Sequence, residues 1–595
     1  MSQSPIPPTT HVADVTADDN IVDIKTSGNA AVDNANANDS DSTASEAPKP
    51  SPLPTPPIPN ARVILMCEQA QDASTQEHQM TIRQSITIYK PAIWICFFWS
   101  ASVIMQSFNI TLIPSFFAQE QFSEKFGILS AEGKYEISAG WRTGLTVGAL
   151  IGEMIGLVLS GIISEKYGYR KTMIGALIAT TGFIFIPFFA NSIEALLVGQ
   201  ILGGIPWGMF QSLPSSYASD IMPQVLRPYL TTYINLCWVF GQLIASIAVR
   251  AVLQLDHEWA YRIPFAIQWI WPPFVILAIL FSPESPAWLV RKDRRDAARR
   301  AMLRLTSHKS PTFSVDNVIM LMAETNEREK RMSSGISYWD CFKGVDWRRT
   351  RIACLTWLVQ CLCGSVLMGY SPVVYKACGL EGDWAFNMTI IQYCINIVGA
   401  VLAWWFMHLS GRRSLYLYGC MALLLLLISI GSTAFISSTN KPAQWGMAIQ
   451  YLLYTFVYGC TIGPVCFSLI TEMSSMRLKT KTIVLARITY NIGSIVVNNI
   501  ANFQLTPKPT GWGWGAKSAL FWASSTFLCI IWIYLEMPEP KGRTYCDMDI
   551  MFEHKISARK FSKTNVAELA SRPEENAEAE NNGTELGNMD GRTNP

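Results

Sequence analysis

Twelve apolar stretches, most of them 20 or more residues long, limit what this chain can become: 92–117, 141–163, 171–190, 193–216, 230–253, 264–281, 352–374, 386–408, 415–436, 445–469, 483–503 and 517–536. At about 1.5 Å of helix per residue, each is long enough to cross a hydrocarbon layer roughly 30 Å thick. Half of all residues are hydrophobic and only 15% are charged, so the expected class is an all-α membrane protein. The lipid bilayer is then its surroundings, and nucleic acid is not a partner.

The placement of Lys and Arg orients the chain. Residues 282–351 carry about fifteen of them, including Arg291, Lys292, Arg294, Arg295, Arg299, Arg300 and Arg304. The turns 164–171, 411–413 and 477–481 are basic too, whereas those at 191–192, 377–385 and 437–443 are nearly free of cations. By the positive-inside rule the middle segment is cytoplasmic, and an even number of spans puts both termini on that side. The expected plan is a disordered N-terminal tail at 1–88, a six-helix bundle at 89–281, a basic middle loop at 282–351, a second six-helix bundle at 352–537 and a C-terminal tail at 538–595. The first 88 residues are polar and lack a secretory h-region, and the end of the chain from Phe561 onward is polar and acidic, so both ends are expected to be floppy.

Fourteen cysteines lie scattered through apolar segments without metal-type spacing, and read as packing residues. The Asn-x-Thr triplets at Asn109 and Asn387 fall within spans, and the one at Asn582 falls in a cytoplasmic tail, so none is expected to be glycosylated. No catalytic triad, phosphate loop or zinc signature is present. The chain reads as a non-enzyme with no cofactor and no metal.

The two halves repeat each other. Pro283-Glu284-Ser285-Pro286 follows the sixth span and Pro538-Glu539-Pro540 the twelfth, about 255 residues later; Asp220, ahead of Arg227, closes the fourth span and Glu472, ahead of Arg477, the tenth, about 252 later. The turn with Gly168 and Arg170 is matched by Gly411-Arg412-Arg413. Such internal repeats mark transporters. Glu165, Asp220 and Glu472 are candidate gating acids, with Arg170, Arg227, Arg413 and Arg477 as their expected partners. A water-exposed pair contributes only about 0–1 kcal/mol, enough to tip a conformational balance; anchoring helix ends at lipid headgroups is a second reading. His408 and Trp404 stand where Glu165 and Gly161 stand in the first half, which would weaken the second latch.

The spacing Gly161-x-x-x-Glu165-Lys166-x-Gly168-x-Arg170-Lys171 resembles the loop between helices 2 and 3 of the major facilitator superfamily. Pro283-Glu284-Ser285-Pro286-x-Trp288-Leu289 and Pro538-Glu539-x-Lys541-Gly542-Arg543 resemble its sugar porters. Gly203-Gly204-Ile205-Pro206-Trp207-Gly208, Gly463-Pro464-Val465-Cys466-Phe467 and the run from Thr482 to Asn491 are similar to the fungal maltose and α-glucoside permease branch. The resemblance implies the major facilitator fold, with twelve transmembrane helices in two six-helix bundles and cytoplasmic termini. It further implies a monomer in the cell membrane that imports a small-molecule sugar, an α-glucoside such as maltose, by alternating access.

By the same resemblance, Gln242 and Gln360 match positions that hydrogen-bond sugar, Phe467 matches an aromatic that covers it, and Tyr370 and Asn491 are candidates for the cavity wall. Each could instead join helices, as buried amides do in membranes. Cys361 and Val366 replace a Gln and an Asn of hexose porters, which favours a larger or less polar ligand. Proton symport is the default of the branch, yet Gln106 and Asn109 stand where it carries acids, and an amide cannot exchange a proton. Glu153 in the second span and Arg487 in the eleventh remain, and a Glu153–Arg487 pair opened by protonation is the expected coupling device. A static ion pair that sets helix register is the other reading of them. A passive facilitator, a non-transporting sugar receptor and a carrier of another glycoside or metabolite stand as alternatives.

Overall fold

The computed structural model describes residues 81–564 apart from 130–134, 224–225, 308–313, 334–336, 381–382, 437–439, 476–477, 542, 544 and 562–563. Twelve helices are long and apolar enough to cross a membrane: Lys90–Phe116, Ala139–Tyr167, Tyr169–Phe189, Ile193–Ile221, Tyr233–Ala251, Trp259–Phe281, Gly344–Gly369, Trp384–Leu409, Arg412–Thr433, Lys441–Met473, Lys481–Leu505 and Gly515–Glu536. They are called spans one to twelve below. Helix is what the hydrocarbon dictates, since no water is there to satisfy an open backbone. A two-residue antiparallel ribbon, Ile128–Leu129 with Tyr135–Glu136, interrupts the first long turn.

Spans alternate in direction, so the N-terminal residues, the middle segment and the C-terminal segment share one side, here the tail face; the other is the loop face. Backbone contact confirms the grouping, because Ser307 N donates to Ile88 O. The middle segment is not the loop expected at 282–351. It folds into helices Pro286–Arg291, Arg295–Leu305 and Val315–Ser333, and span seven starts at Gly344. Ala298, Ala301, Met302 and Leu305 point inward from the Arg-rich second helix. Its cations mask a narrow apolar stripe in the sequence.

The C-terminal segment is folded ahead of the end expected to be floppy from Phe561 onward. Helix Tyr545–Glu553 buries Met548, Met551 and Phe552 against the second half, and Phe561 is buried as well. Arg349, buried at the start of span seven, donates to Met473 O at 2.9 Å, pairs with Asp549 and lies 4.8 Å from the Phe552 ring centroid. Residues 1–80 and 565–595, where the remaining tail expectations fall, lie outside the described residues. Asp549→Ala would leave the buried Arg349 cation with only a carbonyl, a loss of a few kcal/mol. The expected result is tryptic cleavage at Lys555, Arg559 or Lys560 in the folded variant, against resistance in the parent.

Among the described residues the buried apolar core joins the two halves toward the loop face. One cluster runs from Phe108, Leu112, Phe116 and Phe117 of span one, through Ala245 and Val249 of span five, into the core of the second half. Toward the tail face the first half keeps a separate cluster around Trp99, Trp207, Phe210 and Tyr217.

Candidate functional site

Two broken helices frame the middle of the bundle. Span seven takes a π-helical turn at Cys361–Ser365, where Gly364 has φ +89°, a backbone that a side chain would strain. Span ten breaks at Thr461, between Lys441–Cys460 and Ile462–Met473. The breaks face each other, with Gln360 Nε2 donating to Gly463 O at 3.4 Å. Irregular backbone at this depth survives where protein surrounds it or a cavity is lined.

Gln360 and Asn491 are buried, and both amide atoms of Asn491 are without a hydrogen-bond partner. An unpaired buried amide costs about 1–3 kcal/mol. Phe467, on the second half of span ten, meets Trp357 edge-on at 4.9 Å. Gln242 is half-buried in span five, one residue past Gly241, where an added Cβ would lie 2.3 Å from Ile104 O of span one. Tyr370 lies where the two halves meet. Its hydroxyl donates to Asn498 Oδ1 at 3.1 Å, and its ring stacks across the halves on Phe117 at 6.5 Å.

Near this ring contact, further contacts join the halves. Arg250 of span five donates to Asn387 Oδ1 at 2.8 Å and pairs with Asp383 at 2.5 Å; Lys376 Nζ donates to Ala118 O and Asn502 Nδ2 to Thr146 Oγ1. These close the loop face.

A polar chain lies deeper. Gln106 Nε2 donates to Glu153 Oε1 at 2.8 Å, both side chains being buried. Arg487 does not pair directly with Glu153 as the sequence suggested. Its Nε donates instead to Gln211 Oε1 at 2.9 Å, and Gln211 lies within reach of the Glu153 carboxylate, on which the Arg487 charge still acts. The guanidinium rests 4.4 Å from the Tyr490 ring and 4.7 Å from Trp357, a cation–π clamp that holds the charge between two ring faces.

Glycines make this chain of contacts possible. An added Cβ would lie 2.1 Å from Ile201 O at Gly152, 1.9 Å from Ile205 O at Gly156 and 2.1 Å from Glu153 O at Gly208. Close approach of small residues is how membrane helices pack. It sets Gln211, one turn beyond Gly208, beside Glu153. Sequence reasoning missed Gln211 because an amide in an apolar run carries no charge signal. Two features could have found it: glycines four apart at 148, 152 and 156 and at 204 and 208, and the polar stripe Arg487, Asn491, Ser494, Asn498, Asn502 along one face of span eleven.

At the tail face the candidate gating acids meet cations other than Arg170 and Arg413 among the described residues. Glu165 pairs with Lys292 at 3.6 Å and Asp220 with Arg291 at 3.7 Å, both reaching to the middle segment, while Glu472 pairs with Arg412 at 3.4 Å inside the second half. Arg170 and Arg413 turn to carbonyls, those of Leu280 and Tyr534. Arg477 and the side chain of Arg227 fall outside what is described. The repeat is nonetheless exact in its carboxylates. Glu284 accepts from the Arg170 backbone N–H at 3.1 Å, and Glu539 from those of Arg412 at 2.8 Å and Arg413 at 3.1 Å. Burial pushes the Glu284 carboxyl up, against the pull of these N–H donors and of Arg170. An added Cβ at Gly168 or Gly411 would strike those carboxylates, at 2.5 and 2.2 Å. In the second half Lys541 Nζ caps the His408 and Leu409 carbonyls at 3.0 Å, where an acid is missing.

Known proteins share this plan. The chain is 39% identical to a general alpha-glucoside permease of Saccharomyces cerevisiae over 84% of its own length and 81% of the relative's. It is 39% identical to a maltose permease of the same yeast over 85% and 82%. Among solved structures, the inward-open xylose transporter XylE of E. coli superposes with a TM-score of 0.62 at 19% identity, covering 77% of this chain and 99% of that one. The family described as sugar (and other) transporter matches residues 95–552. With twelve spans, the doubled carboxylate turns and this match over most of its length, the chain belongs to the sugar porter family of the major facilitator superfamily.

Proposed function

We propose that the protein imports an α-glucoside such as maltose across the cell membrane by alternating access, as a monomer whose tails and middle segment face the cytoplasm. The observation that carries the sugar reading is Asn491, a buried amide with a free donor and a free acceptor on the same polar stripe as Arg487. A sugar hydroxyl supplies both complements. The names of the yeast relatives supply the substrate class. Gln360, Gln242 and Phe467 complete the site, Tyr370 with Phe117 closes it from the loop face, and the acids at 165, 220 and 472 set the tail-face gate. The fifteen or so cations of 282–351 support the orientation. Coupling runs through Glu153, whose carboxylate is buried among two amides and an arginine rather than locked in a direct ion pair.

Uptake of labelled maltose into transport-deficient cells, with and without a proton gradient, tests the whole reading. Accumulation that collapses with the gradient is expected. A surface-expressed protein that moves no maltose would sink the substrate claim. A passive facilitator is the second reading, favoured by the amides at Gln106 and Asn109; it predicts equilibration without accumulation. Asn491→Leu separates binding from helix glue. KM for maltose should rise about tenfold, as one lost hydrogen bond allows, while thermal stability holds or rises because an unpaired amide has been removed.

A further inference from the structure

Glu153 faces Gln106 from span one, Gln211 from span four, and Arg487 and Tyr490 from span eleven, the last two being the charged and titratable groups about it among the described residues. Gln106, Gln211 and Glu153 belong to the first half, Arg487 and Tyr490 to the second. The hydrogen bond from Arg487 to Gln211 therefore bridges the halves, on the tail side of the contacts that close the loop face. The other bridging hydrogen bonds among the described residues, through Arg250, Lys376, Thr143 and Asn502, lie toward that closed face.

We propose that Gln211 is a positioning residue that passes the protonation state of Glu153 to the contact between the two halves. This rests on the reading of Glu153 as the proton carrier. While Glu153 is ionised it accepts hydrogen bonds only. Gln106 Nε2 gives one, and Gln211, with its carbonyl held by Arg487, has its NH2 group for another. When Glu153 takes a proton, its new O–H needs an acceptor, and the NH2 of Gln211 becomes a donor facing a donor. Rotation of the Gln211 amide by half a turn offers its carbonyl to the acid and its NH2 to Arg487. The bridging hydrogen bond is then lost and two donors face each other across the halves, so the halves part without any ion pair having to break. Gln106, whose Oε1 is buried and unpartnered, is the competing acceptor. A turn of Gln106 would leave the bridge untouched, and this difference makes the two routes separable.

Gln211→Leu, Gln106→Leu and Glu153→Gln proteins are compared for exchange of labelled maltose at equal concentrations and for uphill uptake between pH 5 and 8. Gln211→Leu should exchange maltose within about threefold of the parent rate, yet lose at least tenfold in accumulation and show a flat pH profile; Gln211→Asn, which keeps the amide, should restore part of the pH dependence. Parent-like accumulation and pH profile in Gln211→Leu, with both lost in Glu153→Gln or Gln106→Leu, would overturn the relay and place the acceptor at Gln106. Full accumulation by Glu153→Gln removes the carrier reading and the relay with it. Should Gln211→Leu fail to reach the membrane, the pH profile of Gln211→Asn decides: an unaltered one refutes the relay, and a flattened one supports it.

Discussion

Glu153→Gln protein will equilibrate labelled maltose across the membrane but will not concentrate it, and its uptake will cease to depend on external pH. The size of the effect follows from the driving force. One proton moving with each sugar draws about 2.3 kcal/mol from every 100 mV of membrane potential, and at 1.36 kcal/mol per tenfold this supports roughly fifty-fold accumulation. Glutamine keeps the shape and the acceptor for the Gln106 N–H, so folding and binding should survive; only the exchangeable proton is lost. The measurement is the steady-state ratio of internal to external maltose at 100 mV. A ratio near one is expected, and a ratio still near fifty would remove Glu153 from the mechanism.

The second large effect is on assembly. Gly156→Ala puts a Cβ 1.9 Å from Ile205 O, with span four held on the other side by Gly208, whose own Cβ would meet Glu153 O at 2.1 Å. Backbone cannot yield as a side-chain tip can, so spans two and four must separate. Overpacking a well-filled core already costs about 1–3 kcal/mol where side chains can shift. The expected result is near-complete loss of monodisperse protein on detergent extraction. Gly144→Ala on the same helix is the control. An added Cβ there meets nothing within 4 Å, and alanine favours helix over glycine by about 1 kcal/mol, so this variant should be as stable as the parent or more so.

The spans were legible because the bilayer imposes length and apolarity together. Their ends shifted by a few residues where helices continue past the hydrocarbon, as span seven does from 352 back to Gly344. The middle and C-terminal helices were not legible. Ala298, Ala301 and Met302 among four arginines, or Met548 and Met551 among acids, give stripes too narrow for a composition argument. At the site, charge drew attention to Glu153 and Arg487 as a direct pair, and the structure instead places Gln211 on Arg487 and Gln106 on Glu153. What lies between them is neutral. Gln211 carries no charge, and the spacing of the glycines that set it in place has meaning only when two helices are considered at once. The gate acids show the opposite failure. Their repeat was evident, yet three carboxylates among so many cations allow many pairings, and Arg291, Lys292 and Arg412 won over Arg170 and Arg413 through local reach.

The halves meet at the loop face through packed rings and aliphatic side chains, Phe117 on Tyr370 among them, as well as through Arg250 with Asp383. Dissolved electrolyte damps attraction between exposed charges beyond about 8 Å at physiological strength, and over shorter distances as salt rises, but leaves apolar contact nearly untouched. A seal of this composition keeps its tightness when the surrounding medium turns from dilute to briny. A gate held by ion pairs alone would loosen there, so any leak through this seal is expected to follow its apolar contact area more than the saltiness of the solution outside.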